Sequence, residues 1–131
     1  IKNYIRMLLK KIIGVRDTIS GRRYSDIIEI AKDQIRKTYM SDEISLNTIA
    51  AEVGMSPSYF SSIFSKEMGK TFVEYLTEIR MDRAKELLMC SSMKTSEIGY
   101  EVGYKDPHYF SYIFKKTQNC TPKEFRARGK E

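Results

Sequence analysis

Apolar residues fall at Ile1, Ile5, Leu8, Ile12, Val15 and Ile19, in gaps that alternate four and three, the rhythm of a heptad seam. Leu9 and Ile13 widen the stripe, and Gly14 costs about 1 kcal/mol of helix stability relative to Ala. An amphipathic helix of this kind fits self-association or signal relay, packing on its own domain, or, given its Lys and Arg content, a place on a membrane surface. Ser20-Gly21 is expected to stop it, with Arg22-Arg23 following as a linker. A second helix then opens near Ser25-Asp26, turns Ile27, Ala31 and Ile35 inward and ends around Tyr39-Met40.

Beyond this point the apolar pattern occurs twice. VGMSPSYFSSIFSKEMGKT runs from Val53 to Thr71, and VGYKDPHYFSYIFKKTQNCT runs from Val102 to Thr121. Val53 matches Val102, Gly54 matches Gly103, Pro57 matches Pro107, and Tyr59-Phe60-Ser61 matches Tyr109-Phe110-Ser111, with one extra residue before Pro107. In the first copy Ile49, Ala50 and Val53 form a short apolar-periodic helix capped by Ser45, and Gly54 stands where a left-handed residue ends it. Ser56 then caps a new helix with Pro57 at its first position. Its apolar stripe is Phe60, Ile63 and Phe64, which leaves Ser58, Ser61, Ser62 and Ser65 on the opposite side. The second copy repeats the device with Asp106 as cap and Phe110, Ile113 and Phe114 inward. His108, Ser111, Tyr112 and Lys115 face outward.

The exits are duplicated too. Thr71-Phe72-Val73-Glu74 and Thr121-Pro122-Lys123-Glu124 are both capping boxes, T-x-x-E. The first opens a helix from about Phe72 to Cys90 with Phe72, Leu76, Ile79, Leu87 and Leu88 apolar, roughly 28 Å long at 1.5 Å per residue. Such a rod can hold two recognition helices about one DNA turn apart. The pattern predicts an all-α fold: two helix-turn-helix subdomains, at about 45–69 and 95–119, joined by a long linker helix at about 72–90. Residues 1–21 would form the amphipathic helix and 22–131 the remaining domain.

This pattern resembles the DNA-binding domain of the AraC/XylS family of bacterial transcription regulators over residues 27–125, and most of all in SPSYFSSIFSKEMGKT and VGYKDPHYFSYIFKKT. Its flavour is that of the domain at the C-terminus of two-component response regulators. The resemblance implies a sequence-specific DNA-binding output domain that places two recognition helices in successive major-groove segments. The family's base-contacting positions fall on Ser58, Ser61, Ser62, His108, Ser111 and Tyr112, the residues that patterning turns outward. Where many relatives carry Arg, this chain has Ser62, which leaves bidentate guanine reading there without its usual residue. Phosphate contacts are expected at Lys66, Lys70, Thr71, Lys115, Lys116 and Thr121. Expected partners are double-stranded promoter DNA, RNA polymerase and, in the full-length protein, a second copy of the chain. The competing reading is a helical protein-interaction module without DNA binding, favoured by the low charge of the helix from Pro57 to Met68.

Charge refines this picture. The net +6 resides in residues 1–23, which hold seven basic residues against one acidic; the rest is neutral in sum. Residues 105–131 nevertheless hold seven basic against three acidic, and 24–56 three against six, so the basic surface is local. Cys90 and Cys120 lack the spacing of a zinc site, and the lone His108 stands in no catalytic motif. No enzyme, metal or cofactor is expected. With no signal peptide or membrane-length apolar run, the expected location is the cytoplasm. A start at Ile1 rather than Met reads as a fragment, with a sensory or phospho-acceptor part expected before it.

Overall fold

The structure, a computed structural model, describes residues 17–129. Seven helices follow in order: α1 (Asp17–Thr38), α2 (Leu46–Glu52), α3 (Pro57–Met68), α4 (Phe72–Cys90), α5 (Thr95–Glu101), α6 (Pro107–Gln118) and α7 (Pro122–Gly129). The described residues contain no strand. Of the heptad seam from Ile1 to Ile19, the positions up to Val15 lie outside them, and Ile19 falls within α1. The stop expected at Ser20-Gly21 is absent, because α1 runs through both residues. Neither is proline, so no backbone donor is lost, and one interior glycine costs only about 1 kcal/mol in a helix of this length.

Two compact units can be distinguished: residues up to Arg36 with Ser45–Val73, and Lys37–Ile44 with the chain from Glu74 onward. The first has a core of Ile28, Ala31, Ile35, Ile49, Ala50, Phe60, Ile63, Phe64 and Phe72. Ile28 is buried where Ile27 was expected, while Ile27 is only half-buried. Phe60, Phe64 and Phe72 form a ring triad with centroids 5.6 to 6.4 Å apart, mostly edge to face. Burying one such side chain is worth about 1.5 to 3 kcal/mol, so this triad anchors α3 to the rest of the unit.

The second unit packs Met81, Ala84, Leu88, Ile98, Val102, Tyr104, Phe110, Phe114 and Cys120 together, with Leu87, Met93, Ile113 and Phe125 against them. Phe114 repeats the role of Phe64, with Phe110 at 6.0 Å and Phe125 of α7 at 5.7 Å. Gly99 lets α5 approach α6 closely, since a Cβ there would sit 3.0 Å from Phe110. Its counterpart in the first copy is the buried Ala50.

Both helix-turn-helix turns close with the same two hydrogen bonds. In the first copy Gly54 N donates to Ala51 O and Met55 N to Ala50 O; in the second Gly103 N donates to Tyr100 O and Tyr104 N to Gly99 O. This is the Schellman pattern, which uses carbonyls that the helix end leaves unpaired. It requires positive φ at the glycine, and Gly54 and Gly103 have φ of 72° and 111°.

Candidate nucleic-acid interface

Helices α3 and α6 are each 12 residues long and are built from the same parts. Ser56 Oγ accepts from Tyr59 N at 3.2 Å, and Asp106 Oδ1 accepts from His108 N at 2.9 Å, so both caps act as the sequence indicates. Proline opens each helix, and lysines, Lys66 in α3 and Lys115 with Lys116 in α6, lie in the last turns, where the helix dipole favours positive charge. Phe60, Ile63, Phe64, Phe110 and Phe114 are buried, which fixes the opposite faces outward.

On those faces Ser58, Ser62, His108 and Tyr112 are exposed. Ser61 and Ser111, which occupy the same step of the two copies, are half-buried at the edge of the face. Lys66, Thr71, Lys115 and Lys116 are exposed, and Lys70 and Thr121 are half-buried. Thr121 sits in a complete capping box: its N–H donates to Glu124 Oε1 at 2.9 Å, and its Oγ1 accepts from Glu124 N at 3.0 Å. The backbone N–H of Thr121 holds the Glu124 carboxyl below its ordinary pKa.

Patterning missed two large side chains. Tyr59 and Tyr109, the same residue of the two copies, are 47% and 51% exposed. Each directly precedes a fully buried phenylalanine, and the repeated Tyr-Phe-Ser string draws attention to the phenylalanine. The two tyrosines differ in what holds them. The hydroxyl of Tyr59 is hydrogen-bonded to that of Tyr24 in α1, with the rings edge to face at 6.1 Å. That bond raises the Tyr59 pKa. Tyr109 instead packs between Tyr104, at 5.9 Å, and Tyr112, at 6.2 Å.

Tyr104 is itself held from behind by a buried arginine, which periodicity did not anticipate. Arg80 in α4 is 8% exposed; its Nε donates to Tyr39 O at 2.8 Å and its Nη2 to Ser41 O at 3.0 Å. The guanidinium carbon lies 4.8 Å from the centre of the Tyr104 ring. A buried cation is tolerable here because two carbonyls just past the end of α1 and an aromatic face replace its water. Burial raises the Tyr104 pKa, with Arg80 opposing the shift. Arg126 serves the end of α4 in the same manner, donating from Nε to Leu88 O and from Nη2 to Ser91 O, each at 3.0 Å.

The chemistry available on these faces is hydrogen bonding, aromatic contact and positive charge. Among the described residues no cluster of three His, Cys, Asp or Glu side chains could hold a metal ion, and no helix is long and apolar enough to cross a membrane. Cys90 is exposed, Cys120 is buried, and both are free thiols.

Residues 49–128 match the helix-turn-helix domain family. The chain is 36% identical over 100 residues to an HTH-type transcriptional regulator of Pseudoalteromonas carrageenovora, covering 76% of this chain and 58% of that protein. It is 34% identical over 125 residues to the arabinose operon regulatory protein of Salmonella typhimurium, covering 93% of this chain and 43% of that protein. The chain thus spans less than two thirds of either relative. Among solved structures, the C-terminal domain of AraT, a response regulator from Geobacillus stearothermophilus, is similar with a TM-score of 0.76 at 35% identity, over 78% of this chain and 84% of that one. With a duplicated helix-turn-helix and matches of this extent, the chain belongs to the AraC-type helix-turn-helix family of transcriptional regulators.

Proposed function

We propose that this chain is the sequence-specific DNA-binding output part of a longer transcription regulator of the response-regulator kind, acting in the cytoplasm. Helices α3 and α6 would enter successive major-groove segments of promoter DNA, with base edges read by Ser58, Ser61, Ser62, His108, Ser111 and Tyr112. Lys66, Lys70, Thr71, Lys115, Lys116 and Thr121 would meet phosphates. One observation carries the reading: two helices of equal length, each opened by a side-chain cap and a proline and each burying two phenylalanines at matching steps, turn a polar and aromatic face outward. A groove-entering helix needs this face, and a bundle helix has no use for it twice. Self-association through the amino-terminal heptad seam, and contact with RNA polymerase, extend the proposal to the full-length protein.

A binding titration on duplexes enriched from a random-sequence pool, at about 50 and 200 mM salt, tests it. Groove binding with several phosphate contacts loses affinity by orders of magnitude over that range. Enrichment of no sequence, or affinity indifferent to salt, would favour the protein-interaction reading.

A further inference from the structure

On α6 the exposed residues do not follow the polar residues of the motif. Ser111 is half-buried, whereas Tyr109 and Tyr112 are 51% and 58% exposed. At 100° per residue Tyr109, Tyr112 and Lys116 lie within one narrow stripe, running from the first turn of α6 to its last. The stripe is continuous in space: the Tyr109 and Tyr112 rings are 6.2 Å apart, and Lys116 Nζ lies 5.8 Å from the centre of the Tyr112 ring. Its inner end is fixed, because Tyr109 packs on Tyr104, which is 8% exposed and backed by Arg80.

Two neighbouring phenol rings with half their surface open are an apolar area that water solvates poorly. Tyr59, at the same step of the first copy, has its hydroxyl engaged by Tyr24. Tyr109 is instead supported through its ring, which leaves ring surface at the start of the helix, the end that meets base edges in a helix-turn-helix. The major groove presents one apolar group, the 5-methyl of thymine, and aromatic side chains are among those that contact it. A lysine at the far end of the same stripe suits a phosphate at the groove wall.

We propose that Tyr109 is a specificity-determining residue of the second recognition helix, forming with Tyr112 an aromatic surface that receives thymine 5-methyl groups. The inference rests on the reading of α6 as a groove-entering helix. It adds a residue outside the six outward positions and a base preference that those positions do not imply.

The test uses the 131-residue chain and a duplex enriched by it from a random-sequence pool. Each thymine is replaced in turn by deoxyuridine, which removes the methyl and leaves every hydrogen-bonding edge in place. The wild-type chain is expected to lose about fourfold in affinity at one or two positions, the worth of one buried methyl group. Tyr109→Ala should bind the thymine duplex more weakly and no longer distinguish the two bases there, while Tyr109→Phe should distinguish them as the wild type does. Because Tyr109 is half exposed, circular dichroism of the alanine variant should be unchanged. Indifference of the wild type to every substitution, a selected site without thymine, or methyl discrimination retained by Tyr109→Ala would overturn the proposal. Failure to enrich any duplex is a separate result, which removes the DNA reading and this inference with it.

Discussion

Gly103 lies against Arg80 so closely that a Cβ on the glycine would be 2.7 Å from Arg80 Nη2 and 2.7 Å from Tyr39 O. Its counterpart Gly54 has nothing within 4 Å of the same position. Both need positive φ, so alanine at either site meets the left-handed penalty of about 1 to 2 kcal/mol. Only at Gly103 does it also collide with backbone. Gly54→Ala should therefore lower stability by about 1 to 2 kcal/mol, and Gly103→Ala by roughly 3 kcal/mol or more. Urea unfolding of the two variants checks the difference, and equal losses would mean that the packing around Gly103 yields easily.

Arg80 gives a second expectation. Arg80→Met fills much of the same space yet leaves the Tyr39 and Ser41 carbonyls without their donors, at about 1 to 3 kcal/mol for each group that stays dry. Arg80→Lys keeps the charge but not the planar fork that serves both carbonyls. Stability should fall in the order wild type, Lys, Met, with the methionine variant lower than wild type by about 2 to 4 kcal/mol in urea titrations. A methionine variant as stable as the wild type would show that water takes over both carbonyls.

These residues also mark what sequence reading can reach. Caps, turn glycines and inward stripes are local devices, each written within a few consecutive positions and present in each copy, while the span of α4 is written once, between Phe72 and Cys90. Arg80 is illegible by the same logic, because a charged residue in a helix ordinarily marks a solvated face and its partner Tyr39 lies 41 positions away. The phase of α1 slipped from Ile27 to Ile28 because adjacent isoleucines offer two equally apolar stripes, which only the packing of α2 and α3 decides. On the outward face of α3 the exposure of Ser58 and Ser62 followed from period alone, whereas Ser61 and Ser65 are half-buried. Tyr59 and Tyr109 were missed because their exposure depends on Tyr24 and Tyr104, residues outside the recognition helices.

Stability should depend on pH at both extremes, with opposite signs. Burial raises the Tyr104 pKa, and the bond to Tyr24 raises that of Tyr59, so folding favours both neutral phenols. Their contribution is full below the ordinary phenol value of about 10 and is lost as pH rises through the folded values. Glu124 has a lowered pKa, so its contribution is present above the usual carboxylate value and disappears as pH falls through the folded one. Tyr104→Phe should flatten the alkaline limb of a stability profile, and Glu124→Gln the acid limb. A phenylalanine variant with an unchanged slope above about pH 10 would place the alkaline loss in other residues.

The outward residues of α6 should separate into those that discriminate and those that only hold. Tyr112 is 58% exposed at the middle of the face, and Lys116, one turn later, rests over its ring. Removing Tyr112 as Ala should cost on the order of 1 to 3 kcal/mol on an enriched duplex and much less on a scrambled one, as expected for a lost base contact. If Lys116 meets a phosphate as proposed, Lys116→Ala should weaken both duplexes about equally and flatten the salt slope by about one unit. Because the lysine is seated on the tyrosine, the alanine variant at 112 also frees Lys116, at about 0.5 to 1 kcal/mol for an exposed cation–π contact. Tyr112→Phe resolves that coupling: it keeps the ring and the seat and removes only the hydroxyl. If the phenylalanine variant discriminates as the wild type does, the ring carries the reading; if it behaves like alanine, the hydroxyl does. Equal losses on enriched and scrambled DNA for Tyr112→Ala would make Tyr112 a backbone contact and leave the base reading of α6 to His108, Tyr109 and Ser111, with the rest of sequence choice in α3 or in DNA shape.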